Sequence, residues 1–182
     1  PVKSSPPVYL LLNKPKGFVA TQQGGNIKKS VQELVRTAQS EKLPPLGVMG
    51  RTVTGLLLMT NDEKLRRKLA NPKSRYNTLY QVILEDNADA EDLEALTNGV
   101  RIEGQLHKVK SAAYILGGTK KEIGIDAVNI GPGLLKKMIQ KRDLKVAAMD
   151  RVLLAGLTKK DLPRGRWRML TPKEVQFLNM IS

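Results

Sequence analysis

Residues 47–62 read GVMGRTVTGLLLMTND, and this stretch restricts the fold more than any other. Leu56, Leu57, Leu58 and Met59 form an unbroken apolar run, closed by the turn-forming Thr60, Asn61 and Asp62. A short apolar run between turn signals is the pattern of a strand buried on both faces. Such a strand needs a layer above and a layer below, so the chain must wrap it. The residues leading into it, with Gly47, Gly50 and Arg51, suit a loop whose backbone a ligand approaches closely.

The flanking sequence predicts an α+β fold with a mostly antiparallel sheet. Residues 8–12 form a strand that Pro15 and Gly17 turn. Ser30 and Glu33 have capping-box spacing, which predicts a helix over 30–39 with Val31, Leu34 and Val35 on its apolar face. Residues 62–70 begin with acids and end with bases, matching a helix macrodipole, with Leu65 and Leu69 inward and Arg66, Arg67 and Lys68 outward. A strand is expected over 79–84 and a helix over 90–98 stopped by Gly99. Short strands follow at 99–103, 107–114 and 122–127, then a helix at 134–140 and strand structure within 145–154. Residues 157–167 read as a polar, basic loop, and 171–180 as a helix with Pro172 in its first turn. Residues 1–7, PVKSSPP, read as a disordered leader, 22–26 as a polar loop, and 8–182 as one domain, open to division into two α/β subdomains sharing a sheet.

Charge points to the partner. The chain has 31 Lys and Arg against 17 Asp and Glu, a net charge of +14. Such an excess suits a phosphate backbone, where each cation releases condensed counterions. With no cysteine, thiolate and disulfide chemistry are excluded, and the single histidine, His107, argues against a metal centre. No apolar stretch approaches a membrane span. The expected location is cytoplasmic.

Several motifs, in order, resemble the RsuA-type bacterial rRNA pseudouridine synthases. YLLLNKPKG at 9–17 resembles their opening, where Asn13, Lys14, Pro15 and Gly17 match and where a tight turn and a phosphate contact both fit. GLLLMTND at 55–62 resembles the end of the signature GRLDxxTxGLLLLTND. LYQV at 79–82 resembles the strand bearing the family's pocket tyrosine, here Tyr80. Asp150-Arg151-Val152 and LPRGRWRML at 162–170 resemble the closing motif, where Trp167 reads as core. The resemblance implies the pseudouridine synthase fold, with helices and basic loops flanking the sheet. It also implies a chemistry without metal or cofactor, in which one aspartate acts on a flipped uridine, paired with a basic side chain. The family's S4-type domain would lie upstream of Tyr9; either the protein never had one or the sequence is a fragment.

The match fails at the chemistry. Aligned without a gap, the aspartate position is Gly50, which offers neither nucleophile nor base. In a second family motif, GxNRQVRRM, Lys136, Lys137 and Met138 match its end, and the arginine that approaches the carboxylate becomes Gly133. Carboxylate and partner are thus expected to have gone together, so Gly50→Asp alone should not restore turnover. No catalytic residue is expected. The expectation is a monomeric, ribosome-associated protein of the cytoplasm. It binds ribosomal RNA or a ribosomal subunit, as an assembly factor or stable component, without modifying it. The RNA surface would comprise Lys14, Lys16, Arg51, Arg66, Arg67, Lys68, Lys73, Arg75, Lys136, Lys137, Lys141, Arg142, Lys159, Lys160 and Arg164. One rival is an active synthase using Asp62, Asp126 or Asp150; another is a basic scaffold for an acidic protein.

Overall fold

The structure is a computed structural model describing residues 6–22, 27–39 and 41–181. The expected 1–7 leader and the 22–26 loop fall largely outside these. In chain order the elements are β1 (Tyr9–Lys14), α1 (Gln32–Val35), β2 (Val53–Thr60), α2 (Glu63–Ala70), β3 (Asn77–Leu84), α3 (Ala90–Asn98), β4 (Val100–Ile102) and β5 (Gln105–His107). They continue with β6 (Ser111–Tyr114), β7 (Glu122–Val128), α4 (Pro132–Gln140), β8 (Val146–Leu154), β9 (Leu157–Thr158), β10 (Trp167–Met169) and α5 (Pro172–Asn179).

The main sheet runs β10-β1-β2-β8-β3-β7-β6, with β9 attached to β8, while β4 and β5 form a separate hairpin. Every pairing between these named strands is antiparallel except β2 with β8. The apolar run sits at the sheet's interior as expected. Leu57 and Met59 face the larger core with Leu10, Leu12, Tyr80 and Val82. Leu56 and Leu58 face the smaller core with Leu11, Leu65, Leu69 and Leu178. β3 is buried on one face only, through Thr78, Tyr80, Val82 and Leu84, so strand alternation appears where one layer is missing.

Local chemistry sets the helix ends. Asp62 caps α2, its carboxylate accepting from the Leu65 N–H at 3.1 Å. Asp89 and Asp92 form a capping box on α3, and Thr171 and Glu174 form one on α5. Glu174 also accepts two bonds from the Arg168 guanidinium, at 2.7 and 2.8 Å, which holds its carboxyl down at about 2.

Three expectations change. The helix over 30–39 shrinks to Gln32–Val35. Ser30 pairs with Val19 in a β-bridge, and the Glu33 carboxylate accepts from Lys29 N–H at 3.0 Å instead of closing a box on Ser30. The strand over 107–114 divides, because β5 turns back on β4 while β6 joins β7 at the sheet's edge. The 157–167 loop contains β9 and meets β10 at Trp167.

Two residues at the β2–β8 junction generate predictions. Gly55 has φ +111°, and a Cβ there would lie 2.5 Å from the Arg151 backbone nitrogen and closer still to its carbonyl oxygen. Neither backbone can yield without parting the strands. Gly55→Ala should therefore lose at least about 3 kcal/mol in denaturant unfolding. Lys14 is fully buried, its ammonium donating to Val53 O at 2.6 Å and Pro15 O at 2.9 Å. Burial, reinforced by Arg164 and Arg51, lowers its pKa to about 8 from an ordinary 10.5. Between those pH values the unfolded chain holds this proton more tightly than the folded one, so stability rises with pH. The melting temperature of the parent minus that of Lys14→Met should grow from pH 8 to pH 10.

Candidate functional site

The C-terminal end of α2, the N-terminal end of α4 and the 46–48 loop converge beside β8. They enclose a cleft of about 260 Å³ lined by Leu46, Gly47, Val48, Leu69, Ala70, Tyr76, Asn129, Gly131, Pro132 and Arg151. A roomier hollow of about 390 Å³ beside α1 carries only solvated charges. The cleft differs in having a buried one.

Arg151 is 5% exposed. Period-two alternation on β8 puts it on the face of Met149, opposite Asp150. Its Nε donates to Leu56 O at 2.8 Å and one terminal nitrogen to Met49 Sδ at 3.5 Å. Among the described residues no carboxylate forms an ion pair with it. Tyr76 and Tyr80 stand close by. Burial raises both phenol pKa values, and the Arg151 charge opposes that rise.

Gly50 follows Met49 directly and is exposed; a Cβ there would meet no atom within 4 Å. Gly133, in the first turn of α4, is equally open. Arg151 reaches the preceding residue, Met49, whereas Gly50 is not among the residues lining the cleft. Tyr80 is not a cleft wall. It is 1% exposed and its hydroxyl donates to Ile130 O at 2.6 Å, so the aromatic ring lining the cleft is Tyr76.

The substitute acids lie elsewhere. Asp62 is the α2 cap and accepts from the Tyr9 hydroxyl at 2.5 Å; burial, reinforced by this bond, pushes that phenol up to about 12. Asp150 sits on the opposite face of β8 from Arg151, held by Thr54, Lys159 and Arg164 at 2.9, 3.2 and 3.0 Å. Burial works to raise its pKa, but these donors prevail and lower it. Asp126 lies on β7, opposite Leu79 and Ser111. None lines the cleft.

The basic residues separate by what already holds them. Lys14 is buried and cannot reach RNA, which corrects its assignment. Arg51 clamps the carbonyls of Gly17, Lys28 and Lys29. The outward placement of Arg66 and Lys68 is also corrected. Arg66, with its side chain 19% exposed, bonds Glu63 and Gln22, and Lys68 donates to Asn179 O. Arg67 is open to solvent, with Glu63 near. Lys137 faces Glu103, Arg142 pairs with Asp92, and Lys159 and Arg164 share Asp150. Lys16, Lys73, Arg75, Lys141 and Lys160 are exposed and Lys136 half-exposed, with no ion pair among the described residues. Lys73 and Arg75 flank the cleft, between Asn71, which Asn129 bonds, and Tyr76.

Sequence reading missed Arg151 and Tyr76. Arg151 served only as part of a motif, although alternation places it inward with Met149.

The fold is a mixed α+β sheet with a cleft beside its parallel β2–β8 junction. Residues 8–131 match the family model described as RNA pseudouridylate synthase. The chain belongs to that family. It is 28% identical over 184 residues to ribosomal large subunit pseudouridine synthase B of Bacillus subtilis, spanning 100% of this chain and 75% of that protein. It is 30% identical to an uncharacterized RNA pseudouridine synthase of Aquifex aeolicus, spanning 99% and 75%, and 26% identical to ribosomal small subunit pseudouridine synthase A of Escherichia coli, spanning 93% and 73%. A crystal structure of a pseudouridylate synthase shares the fold with TM-score 0.78 at 24% identity, over 95% of this chain and 74% of that one.

Cations that are already paired contribute little to phosphate binding, so the free pair beside the cleft should dominate. Lys73→Glu combined with Arg75→Glu should weaken binding to ribosomal RNA fragments. It should also reduce the slope of log K against log salt by about 2, at unchanged melting temperature. The check is a fluorescence titration at several salt concentrations.

Proposed function

We propose that this protein binds ribosomal RNA, alone or within a ribosomal particle, and does not isomerise uridine. One observation carries the reading. The position where the family resemblance places the aspartate is Gly50, and among the described residues no carboxylate forms an ion pair with the buried Arg151. Breaking the base–sugar bond by the family's route requires that carboxylate. A glycine contributes only backbone.

Binding needs none of it. Phosphate contacts give affinity and orientation without chemistry, and structured RNA is recognised largely through shape and backbone. The relatives' names support ribosomal RNA as the substrate class, and the net charge of +14 supports a polyanion over an acidic protein. The role is that of an assembly factor or a stable ribosome-associated component.

The test is a pseudouridine map of total ribosomal RNA with and without the gene, alongside sedimentation of the protein. The map is expected to be unchanged while the protein co-sediments with ribosomal particles. One site lost on deletion and regained from a plasmid copy would make the protein an enzyme.

A further inference from the structure

Strand β6 closes one end of the main sheet and pairs only with β7. The Ile115 N–H donates to Glu122 O at 3.0 Å. The two-residue period of an antiparallel ladder then turns the main-chain groups of Ser111 and Ala113 toward β7 as well. Those of Ala112 and Tyr114 point outward from the sheet. An edge of this kind is a template for one more strand.

Helix α3 runs beside that strand, and the two enclose a groove of about 390 Å³. Ala90, Leu93 and Thr97 line it from one face of α3, and Ala112 and Tyr114 from β6. The Tyr114 hydroxyl is already satisfied, donating to Ala88 O at 2.6 Å, so the groove is apolar apart from its rim. Its small side chains leave room for the alternate side chains of an added strand. Outward main-chain groups with apolar room beside them fit an extended peptide.

Charge defines that peptide. Six of the 17 acids fall within residues 85–94, and no Lys or Arg lies between Arg75 and Arg101. Asp89 and Asp92 are engaged in the α3 capping box, and Asp92 also pairs with Arg142. Glu91 and Glu94 are exposed and form no ion pair among the described residues, and Glu94 lines the groove. On β7, in register with Ser111, Asp126 has a buried carboxylate oxygen with no hydrogen-bond partner. Lys108 and Lys110 precede the strand and do not line the groove. In a chain of net charge +14, this wall repels phosphate and attracts cations.

We propose that the β6 edge and the α3 groove take up an extended, lysine- or arginine-rich segment of a partner protein, which joins the sheet as a further strand. Main-chain bonds to Ala112 and Tyr114 hold it, small apolar side chains enter the groove, and basic ones meet Glu91 and Glu94. This goes beyond RNA binding and is independent of whether the chain isomerises uridine.

The test uses the full chain and labelled synthetic peptides about six residues long, one alternating lysine with valine and one alternating glutamate with valine. By fluorescence anisotropy the lysine peptide should bind saturably and at least about ten-fold more tightly than the glutamate peptide. In hydrogen exchange it should slow the amides of Ala112 and Tyr114 and leave those of Ser111 and Ala113 as they were. Ala112→Pro removes an outward N–H at a sheet edge, where proline is tolerated, and should abolish the binding. Should that variant fail to fold, Glu91→Lys with Glu94→Lys decides, because both positions are exposed and the preference should reverse. Four results would overturn the proposal: equal binding of the two peptides, no saturable binding, binding without protection at Ala112 and Tyr114, or affinity unchanged in the folded variants. The same protection produced by a ribosomal RNA fragment would assign the edge to RNA instead. Protection already present without peptide, in a chain that sediments as a dimer, would assign it to a second copy.

Discussion

The parallel contact between β2 and β8 organises both the sheet and the cleft. Gly55 lies opposite Arg151 in that register, and the missing side chain lets the two backbones meet. Around it runs a polar seam. Arg151 Nε bonds Leu56 O across the strands, and Thr54 Oγ1 bonds the Asp150 carboxylate. Arg164 bridges Asp150 to Asn13 Oδ1 at 2.6 Å, and Asn13 Nδ2 donates to Leu162 O. The opening NKP motif, the central strand and the closing LPRGRW motif are therefore fastened at one place. Three segments distant in sequence carry the family resemblance because they meet there.

What the sequence disclosed follows from which signals are local. The run at 56–59 announced a strand covered on both faces, and it is one. The acid-to-base order of 62–70, Gly99 after 90–98 and Pro172 in the first turn of 171–180 are local signals, so α2, α3 and α5 lay close to their expected bounds. The 30–39 helix failed because Ser30 is claimed by a bridge to Val19, a partner that no local pattern reveals. The cleft was harder still. An arginine on a mostly apolar strand shows its significance only when strand pairing puts it between Leu56 and Met49, and Tyr76 differs from Tyr80 by which one the fold buries.

Net charge is a poor guide to individual contacts. Lys14, Arg51, Arg66, Lys68, Arg142, Lys159 and Arg164 all have intramolecular acceptors, so the formal excess overstates the cations available to RNA. Surface pairs of this kind are individually weak, yet each fixes a side chain in a geometry unrelated to any ligand. The freest cations, such as Lys73, Arg75 and Lys141, sit at element ends and loops, where no neighbouring acid competes.

The fold constrains positions 50 and 151 to very different degrees. Position 50 is exposed and a Cβ there would touch nothing, so packing does not dictate the residue it carries. Arg151 is a strand residue whose Nε satisfies the Leu56 carbonyl inside the sheet. Removing it would leave a buried carbonyl without a donor, which costs about 1–3 kcal/mol, and would open a void beneath Met49. The fold therefore tolerates change at position 50 but holds Arg151 in place. What remains is an electropositive cleft, fixed by the same strand pairing that holds the sheet together.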